Sequence, residues 1–328
     1  MDDIRIGITG TGSRIGQAII KSIRTSSLAK SISMIGFDYF DNTVGSYWVK
    51  KNFILPDIFK KSIEPKTWFD KVLEAIIQEK IKLLFIGINF ELPIFAKYKN
   101  LIESESRCKV VVSDESVIKI ANDKYLTYEF LKRNNFYHPK TWLAGRDIDK
   151  DIEFPCIVKP RNGNTSQDVY IVSKREDISS VLSKVKDPII QGLIGRPEAE
   201  YTCGLICFGG EVEKSIALLR TLKHGNTEVA YFNRRTPTLI YEYIHEVAHA
   251  LGPYGPCNIQ LRIDDRDGLP KIFEINARHS GTTYIRSLFG FKEVEYIIRR
   301  IVGLECKGFE LREGIVKKYD EEIYIPLP

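Results

Sequence analysis

The sequence predicts an α/β fold that passes into α+β: a helix-covered parallel sheet first, then antiparallel hairpins. Three observations carry this reading. Apolar strand-like runs alternate with helix-period stretches through the first third of the chain. In the second half, two pairs of strand-like runs flank the turn sequences "GG" and "DDRDG". No apolar run approaches the ~20 residues needed to span a bilayer.

The elements follow in order. "IRIGITG" is a short apolar strand, "SRIGQAIIKSIR" has helical periodicity, and "ISMIGFD" returns to strand. "WFDKVLEAIIQEK" reads as a helix, "IKLLFIGI" as a buried strand and "CKVVVSD" as another. "SDESVIKIANDKYLTYEFLKRNNF" then reads as one long helix. "FPCIVKP" is a strand running into a polar, glycine-bearing loop, and "PIIQGLIG" is a further strand. "EYTCGLICFGGEVEKSIALLR" and "NIQLRIDDRDGLPKIFEINAR" are hairpins, with the helix "TLIYEYIHEVAHALG" between them.

At 328 residues the chain has room for two or three units, each with its own core. Hydrophobic content of 43% and charged content of 28% are ordinary globular values. A net charge of +5 suits anionic small ligands but is not the footprint of a nucleic-acid binder. The start "MDDIRIGITG" runs from acidic residues straight into a strand, which predicts a cytoplasmic protein without a secretory signal or membrane partner. Cys108, Cys156, Cys203, Cys207, Cys257 and Cys306 are scattered without metal-binding spacing, so reduced, buried thiols are expected.

Two motifs invite readings that the rest of the chain disfavours. "ITGTGSRIGQAI" places Gly10, Gly12 and Gly16 at a strand-to-helix turn, with Asp38 ending the next strand where a ribose-binding acid would sit. The spacing is one residue off the dinucleotide fingerprint. A turn that packs helix on sheet without a cofactor fits better than an NAD(P)-dependent oxidoreductase. "HEVAHALG" at 245–252 opens like a zinc-peptidase signature. The position of a third histidine is occupied by Gly255, whereas Ile240, Ile244, Val247, Ala248 and Leu251 form an apolar stripe and Gly252–Pro253 stops the helix. Scaffold is the expected role.

A second constellation is richer. "FPCIVKPRNGNTSQDV" delivers Lys159 on a strand toward a loop whose backbone N–H groups, from Gly163 to Ser166, can cover a phosphate chain. "ANDKY" supplies Lys124 upstream. "PIIQGLIGRPEAEY", from Gln191 through Leu193, resembles an adenine edge, with an acid beyond it for ribose hydroxyls. Glu274, Asn276 and Arg278 alternate onto one strand face, with Gln260 on the neighbouring strand. Oxygen ligands from Gln260, Glu274 and Asn276 suit Mg²⁺, and Arg278 can neutralise charge on a transferring phosphoryl group.

In this order, the segments resemble the ATP-grasp superfamily nearly end to end. Within it they resemble a single synthetase module of the carbamoyl-phosphate synthetase large subunit. The resemblance implies a Rossmann-like pre-ATP-grasp domain over 1–112, a small subdomain with the lysine strand and phosphate loop over 113–187, and a C-terminal subdomain over 188–328. The last two would clamp ATP. It implies that Lys124 and Lys159 contact the phosphates and that the backbone near Leu193 meets adenine. Glu200 or Glu198 would bind ribose, and Gln260, Glu274 and Asn276 would hold one or two Mg²⁺, with Mn²⁺ as a substitute. Arg278 would assist transfer, and His224 in "LKHGNT" falls where the synthetase has a phosphate-contacting histidine. Gly281 stands where the synthetase continues with a second arginine, and the glycine-rich cover is thinned to "RNGNTSQD".

The implied activity is ATP-dependent ligation: a carboxylate becomes an acyl phosphate and an amine displaces phosphate. Arg220, Lys223, His224 and Arg278 form an anion-binding set for it, while Tyr231, Arg234 and Arg235 are read either as an acceptor wall or as a solvated loop. The partners are a small-molecule carboxylate and an amine, and a homodimer is compatible. Carboxyphosphate chemistry and non-catalytic nucleotide binding are the alternatives.

Overall fold

The computed structural model describes residues 3–60, 64–144, 152–163 and 168–325. The first layer is built from β1 (Ile4–Thr9), α1 (Arg14–Arg24), β2 (Ile32–Asp38), β3 (Lys51–Ile54), α2 (Pro65–Gln78), β4 (Leu83–Phe85), α3 (Leu92–Ser106) and β5 (Lys109–Val111). Its strands are all parallel, in the order β3-β2-β1-β4-β5. Ile6, Ile8, Leu83 and Phe85 pack with Ile19, Ile20 and Ile23 of α1, whereas Ile35, Phe37 and Leu84 pack with Trp68, Phe69 and Phe95 of α2 and α3. Both sheet faces are thus covered, which is what continuous apolar strands require.

The long helix expected over 113–136 is broken in two, α4 (Glu115–Asn122) and α5 (Lys124–Arg133). Asp123 causes the break. Its backbone is extended, and its carboxylate accepts from the N–H groups of Tyr125 and Leu126 as an N-cap.

A small antiparallel sheet follows, from β6 (Thr141–Leu143), β7 (Cys156–Pro160), β8 (Tyr170–Val172) and, after α6 (Ile178–Leu182), β9 (Pro188–Gly192). Its order is β6-β9-β7-β8, so this sheet runs past the boundary expected at 187.

The third sheet has the order β14-β13-β10-β11-β12-β15. It comprises β10 (Glu200–Phe208), β11 (Glu211–Lys223), β12 (Asn226–Phe232), β13 (Gly255–Ile263), β14 (Pro270–Asn276) and β15 (Gly314–Lys317). Between β12 and β13 lies α7 (Thr238–Leu251), and α8 (Thr283–Leu288) and α9 (Glu293–Val302) precede β15. The expected Gly209–Gly210 turn is present with both φ positive, and a second two-residue turn at His224–Gly225 has the same signature. Strands β3, β6, β8, β12 and β15 and helices α3, α6, α8 and α9 have no counterpart among the elements expected from the sequence.

The layers pack directly on one another. Helix α1 sits against α8 and α9, and Ser22 Oγ lies 3.1 Å from Ser287 Oγ. Five of the six cysteines are buried and Cys306 is half-buried, all as free thiols. Among the described residues, no helix is long and apolar enough to cross a membrane.

Candidate active site

The register of β13 on β14 sets the site. Gln260 pairs with Glu274 and Asn258 with Asn276, followed by a bulge at Gln260/Leu261. Asn276 Nδ2 donates to Glu274 Oε1 at 2.8 Å, and Arg278 Nη2 donates to Asn276 Oδ1 at 2.8 Å. Burial alone would push the Glu274 carboxyl up. Lys124, the Asn276 amide, Lys159 and Arg278 outweigh it and hold the group below the usual glutamate range. Burial lowers Arg278 to about 10 against the pull of Glu274.

The small sheet presents Lys159 from β7. Its ammonium donates to Gln191 Oε1 at 2.7 Å, and Gln191 Nε2 in turn donates to Thr141 Oγ1 at 2.9 Å. Gln191 therefore orients the lysine. Desolvation first, then the charge of Lys124, lowers Lys159 to about 7, opposed by Glu274 and Glu200. Lys124 opens α5 directly after the Asp123 cap. Its Nζ donates to the Gly163 carbonyl at 2.8 Å, its backbone N–H to the Arg161 carbonyl at 3.1 Å, and the Arg161 guanidinium pairs with Asp123 at 2.8 Å. The expected phosphate-covering residue Ser166 lies outside the described residues.

These parts converge on two adjoining cavities. One, of about 760 Å³, lies between the small and large sheets. Lys124, Lys159, Gly163 and Gln191 line it, with Ile157, Ile194, Leu222 and Phe273 as apolar walls. Gly192 and Ile194, on either side of Leu193, reach its edge. The other, of about 950 Å³, lies between the large sheet and the start of α1. His224, Asn276 and Arg278 line the second cavity, as do Asn226, Asn258 and Lys318. Arg220, Gln260 and Glu274 line both. Tyr231, Arg234 and Arg235 line neither, and Arg234 is instead held by Glu313 and the Leu311 carbonyl.

Of the two ribose candidates, Glu200 lines the first cavity and Glu198 is exposed outside it. Glu200 is 3% exposed. Its Oε1 accepts from Arg220 Nε (2.9 Å) and Nη2 (2.6 Å), and its Oε2 from Arg262 Nε (3.1 Å) and Nη2 (2.9 Å). A carboxylate has about four acceptor positions, and all are filled here. Arg220 Nη2 also donates to Gln260 Oε1 at 2.9 Å.

The two disfavoured motifs have structural explanations. Asp38 is 4% exposed, and its Oδ2 accepts from Gly12 N at 2.6 Å and Thr11 Oγ1 at 2.8 Å. A Cβ on Gly16 would stand 2.1 Å from the Gly10 carbonyl oxygen, and one on Gly45 would stand 1.9 Å from that of Thr11. These glycines let the turn, α1 and the segment at Gly45 pack backbone against backbone, and the Asp38 carboxylate is taken up by the turn's own donors. In α7, His245 Nε2 lies 2.7 Å from Ser215 Oγ and His249 Nδ1 lies 3.0 Å from the Gly210 carbonyl. Both imidazoles tie the helix to β11 and its turn. The stripe residues Ile240, Ile244, Val247, Ala248 and Leu251 are all buried, and Gly252 caps the helix at φ 68°.

Comparison with known proteins agrees with this geometry. Residues 121–282 match the family described as the ATP-grasp domain. The chain carries an ATP-grasp domain. Every residue singled out above for nucleotide, metal or phosphoryl chemistry, from Lys124 to Arg278, falls inside that match. The chain is 27% identical over 176 residues to D-alanine--D-alanine ligase B of Clostridium perfringens, covering 47% of this chain and 56% of the ligase. It is 20% identical over 212 residues to carbamoyl-phosphate synthase of Methanobrevibacter smithii, covering 61% of this chain and 57% of that protein. The crystal structure of N5-carboxyaminoimidazole synthetase from Staphylococcus aureus, complexed with ADP, superimposes with a TM-score of 0.74 at 14% identity, over 94% of this chain and 80% of that one. The chain spans between 36% and 57% of the length of four curated relatives it matches.

Several residues facing the ATP-grasp cavities were not anticipated. Arg262 and Phe273 stand opposite Lys159, with both cations over the Phe273 ring at 5.9 and 5.5 Å. A cue was available, because Arg262 and Gln260 share a face of one strand. Arg14, inside the glycine turn, and Lys318 carry no sequence signal of an anion site, and the packing of the layers brings them to the second cavity.

Proposed function

We propose that the chain is an ATP-dependent carboxylate–amine ligase that releases ADP and phosphate. The observation that carries this is the shared wall: Arg220, Gln260 and Glu274 face both the cavity with the lysines and the cavity with Arg278. These three side chains stand where the two cavities adjoin, beside the path a transferring phosphoryl group would take. The named resemblance to D-alanine--D-alanine ligase supports the reaction class.

In this reading the first cavity holds ATP, with adenine against Ile157, Ile194 and Phe273 and the phosphates against Lys124 and Lys159. Ribose hydroxyls reach Glu200 by replacing one of its arginine contacts. Mg²⁺ fits the donor set, which is all oxygen with one charged member, Glu274. At present the amide oxygens of Gln260 and Asn276 accept from Arg220 and Arg278, so guanidinium groups stand where cationic charge is wanted. When bound, the metal supplies charge neutralisation for the phosphates. Arg278, Arg220 and His224 stabilise the transferring group and the acyl phosphate.

The reaction balances simply. A carboxylate oxygen bonds the γ-phosphorus as the bond to ADP breaks. The amine nitrogen then bonds the acyl carbon, phosphate leaves, and the amine proton goes with it. The N-terminal parallel layer serves as a Rossmann-like pre-ATP-grasp domain closing the second cavity, and the two following sheets are the clamp. A screen of amino acids, dipeptides and sugar acids for ADP release tests the proposal. Release of AMP and pyrophosphate instead, or nucleotide binding without turnover on any pair, would overturn it.

A further inference from the structure

The second cavity carries more positive charge than phosphoryl transfer uses. Arg14, Arg220, Arg278 and Lys318 line it against a single carboxylate, Glu274. Arg220 and Arg278 are already assigned to the transferring group. Arg14 and Lys318 do not line the nucleotide cavity. They come from opposite ends of the chain: Arg14 opens α1, and Lys318 follows the edge strand β15.

The fold brings them together at the β11–β12 hairpin. Arg14 Nη1 donates to Asn226 Oδ1, and the Lys318 backbone N–H donates to the Glu228 carbonyl at 2.8 Å. Partial desolvation, then the charges of Arg14 and Lys21, hold the Lys318 ammonium below the usual lysine range, with only Asp320 opposing them. Among the described residues, neither Arg14 nor Lys318 has a carboxylate within 4.0 Å. Two cations assembled from remote segments repel each other unless something anionic sits between them. The space beside them suits more than a bicarbonate, because about 950 Å³ is at the top of the ~300–1,000 Å³ range for drug-sized ligands.

We propose that one of the two molecules joined in this cavity carries, besides its reacting group, a second anionic group, a carboxylate or a phosphate, seated at Arg14 and Lys318. This deepens the ligase reading and rests on it for the identity of the reacting group. The substrate is then of the dicarboxylic or phosphorylated amino-acid kind rather than a neutral amino acid.

The test compares matched probes: L-glutamate against L-glutamine, and O-phospho-L-serine against L-serine. Each is titrated calorimetrically into the full chain with MgADP, at constant ionic strength in chloride, and each is assayed for ADP release with ATP. The expected result is that at least one anionic probe binds 10-fold or more tighter than its neutral partner. The double variant Arg14→Gln/Lys318→Gln should remove that difference while leaving MgADP affinity unchanged, which also shows that the variant is folded. Equal binding of anionic and neutral probes, no binding of any anionic probe, or an unaltered preference in the double variant would each overturn the inference. The two readings fail separately. Anionic selectivity lost in the double variant, without turnover of any probe, sinks the ligase and keeps the anion site. Turnover of neutral pairs that ignores Arg14 and Lys318 does the reverse.

Discussion

Lys159 makes the nucleotide site pH-dependent in a direction that can be worked out. Its ordinary value of 10.5 is lowered to about 7, chiefly because the ammonium is buried and secondly because Lys124 stands near it. Phosphate oxygens placed against the ammonium favour the charged form, so the group titrates higher in the complex than in the free protein. Binding therefore takes up a proton, and affinity falls as pH rises through the free-protein value. With that value at about 7, roughly half the lysines are charged at pH 7 and about 1% at pH 9, if only the charged form binds. The dissociation constant of MgADP should rise about 50-fold over that span, about 2.3 kcal/mol. Calorimetric titration from pH 6 to 9, in buffers of different ionisation enthalpy, measures both the affinity and the proton taken up. Lys159→Arg, whose guanidinium stays charged throughout, should flatten the profile. An affinity constant from pH 7 to 9 with no buffer-dependent enthalpy would refute the reasoning, because it would mean the lysine is charged before nucleotide arrives.

Two further outcomes follow from the same contacts. Glu200→Gln removes the carboxylate that, among the described residues, pairs with the buried Arg220 and the half-buried Arg262; breaking such a pair costs about 3–5 kcal/mol, read from urea unfolding, and a loss under about 1 kcal/mol would show that the arginines have another partner. His245→Ala loses one hydrogen bond to Ser215 and should cost about 1 kcal/mol in the same assay without changing metal content; stoichiometric zinc in the parent that disappears in the variant would reinstate the peptidase motif as a metal site.

The sequence exposed the chemistry better than the architecture around it. Lys159, Gln260, Glu274, Asn276 and Arg278 were legible because a strand's two-residue period places alternate side chains on one face, and the β13–β14 register confirms that Gln260 stands opposite Glu274. The break between α4 and α5 was missed because the apolar period continues across it; only the side chain of Asp123, turned back onto the next N–H groups, ends one helix and starts another. β12 was hidden for a related reason. His224–Gly225 is a tight hairpin turn only if His224 takes a positive φ, a conformation that histidine adopts less readily than the glycine pair at 209–210. The roles of Glu200 and Gln191 were out of reach in another way. Both line the first cavity, where ligand contacts are expected, and both also hold cationic side chains, Arg220 and Arg262 in one case and Lys159 in the other. Such pairings depend on where separate sheets meet, and no local spacing encodes that.

Those pairings say how the cleft tolerates its own charge. Among the buried and half-buried groups lining the two cavities, the cations Lys124, Lys159, Arg220, Arg262 and Arg278 face the acids Glu200 and Glu274, while Asp168, Lys186 and Asp187 line the exposed rim. Five like charges in a buried cleft would be costly unless each were satisfied or removed. Glu200 satisfies two, Glu274 attracts the others, and Lys159 is driven toward its neutral form. Every one of these devices is a substitute for an anion. A magnesium nucleotide would supply that anion, restore the Lys159 proton and compete with Arg220 for Glu200. Arg220 also bonds Gln260 and faces the second cavity, so a nucleotide that displaces it from Glu200 would alter a wall shared with the second cavity. One shared arginine thus links the charge balance of the two cavities.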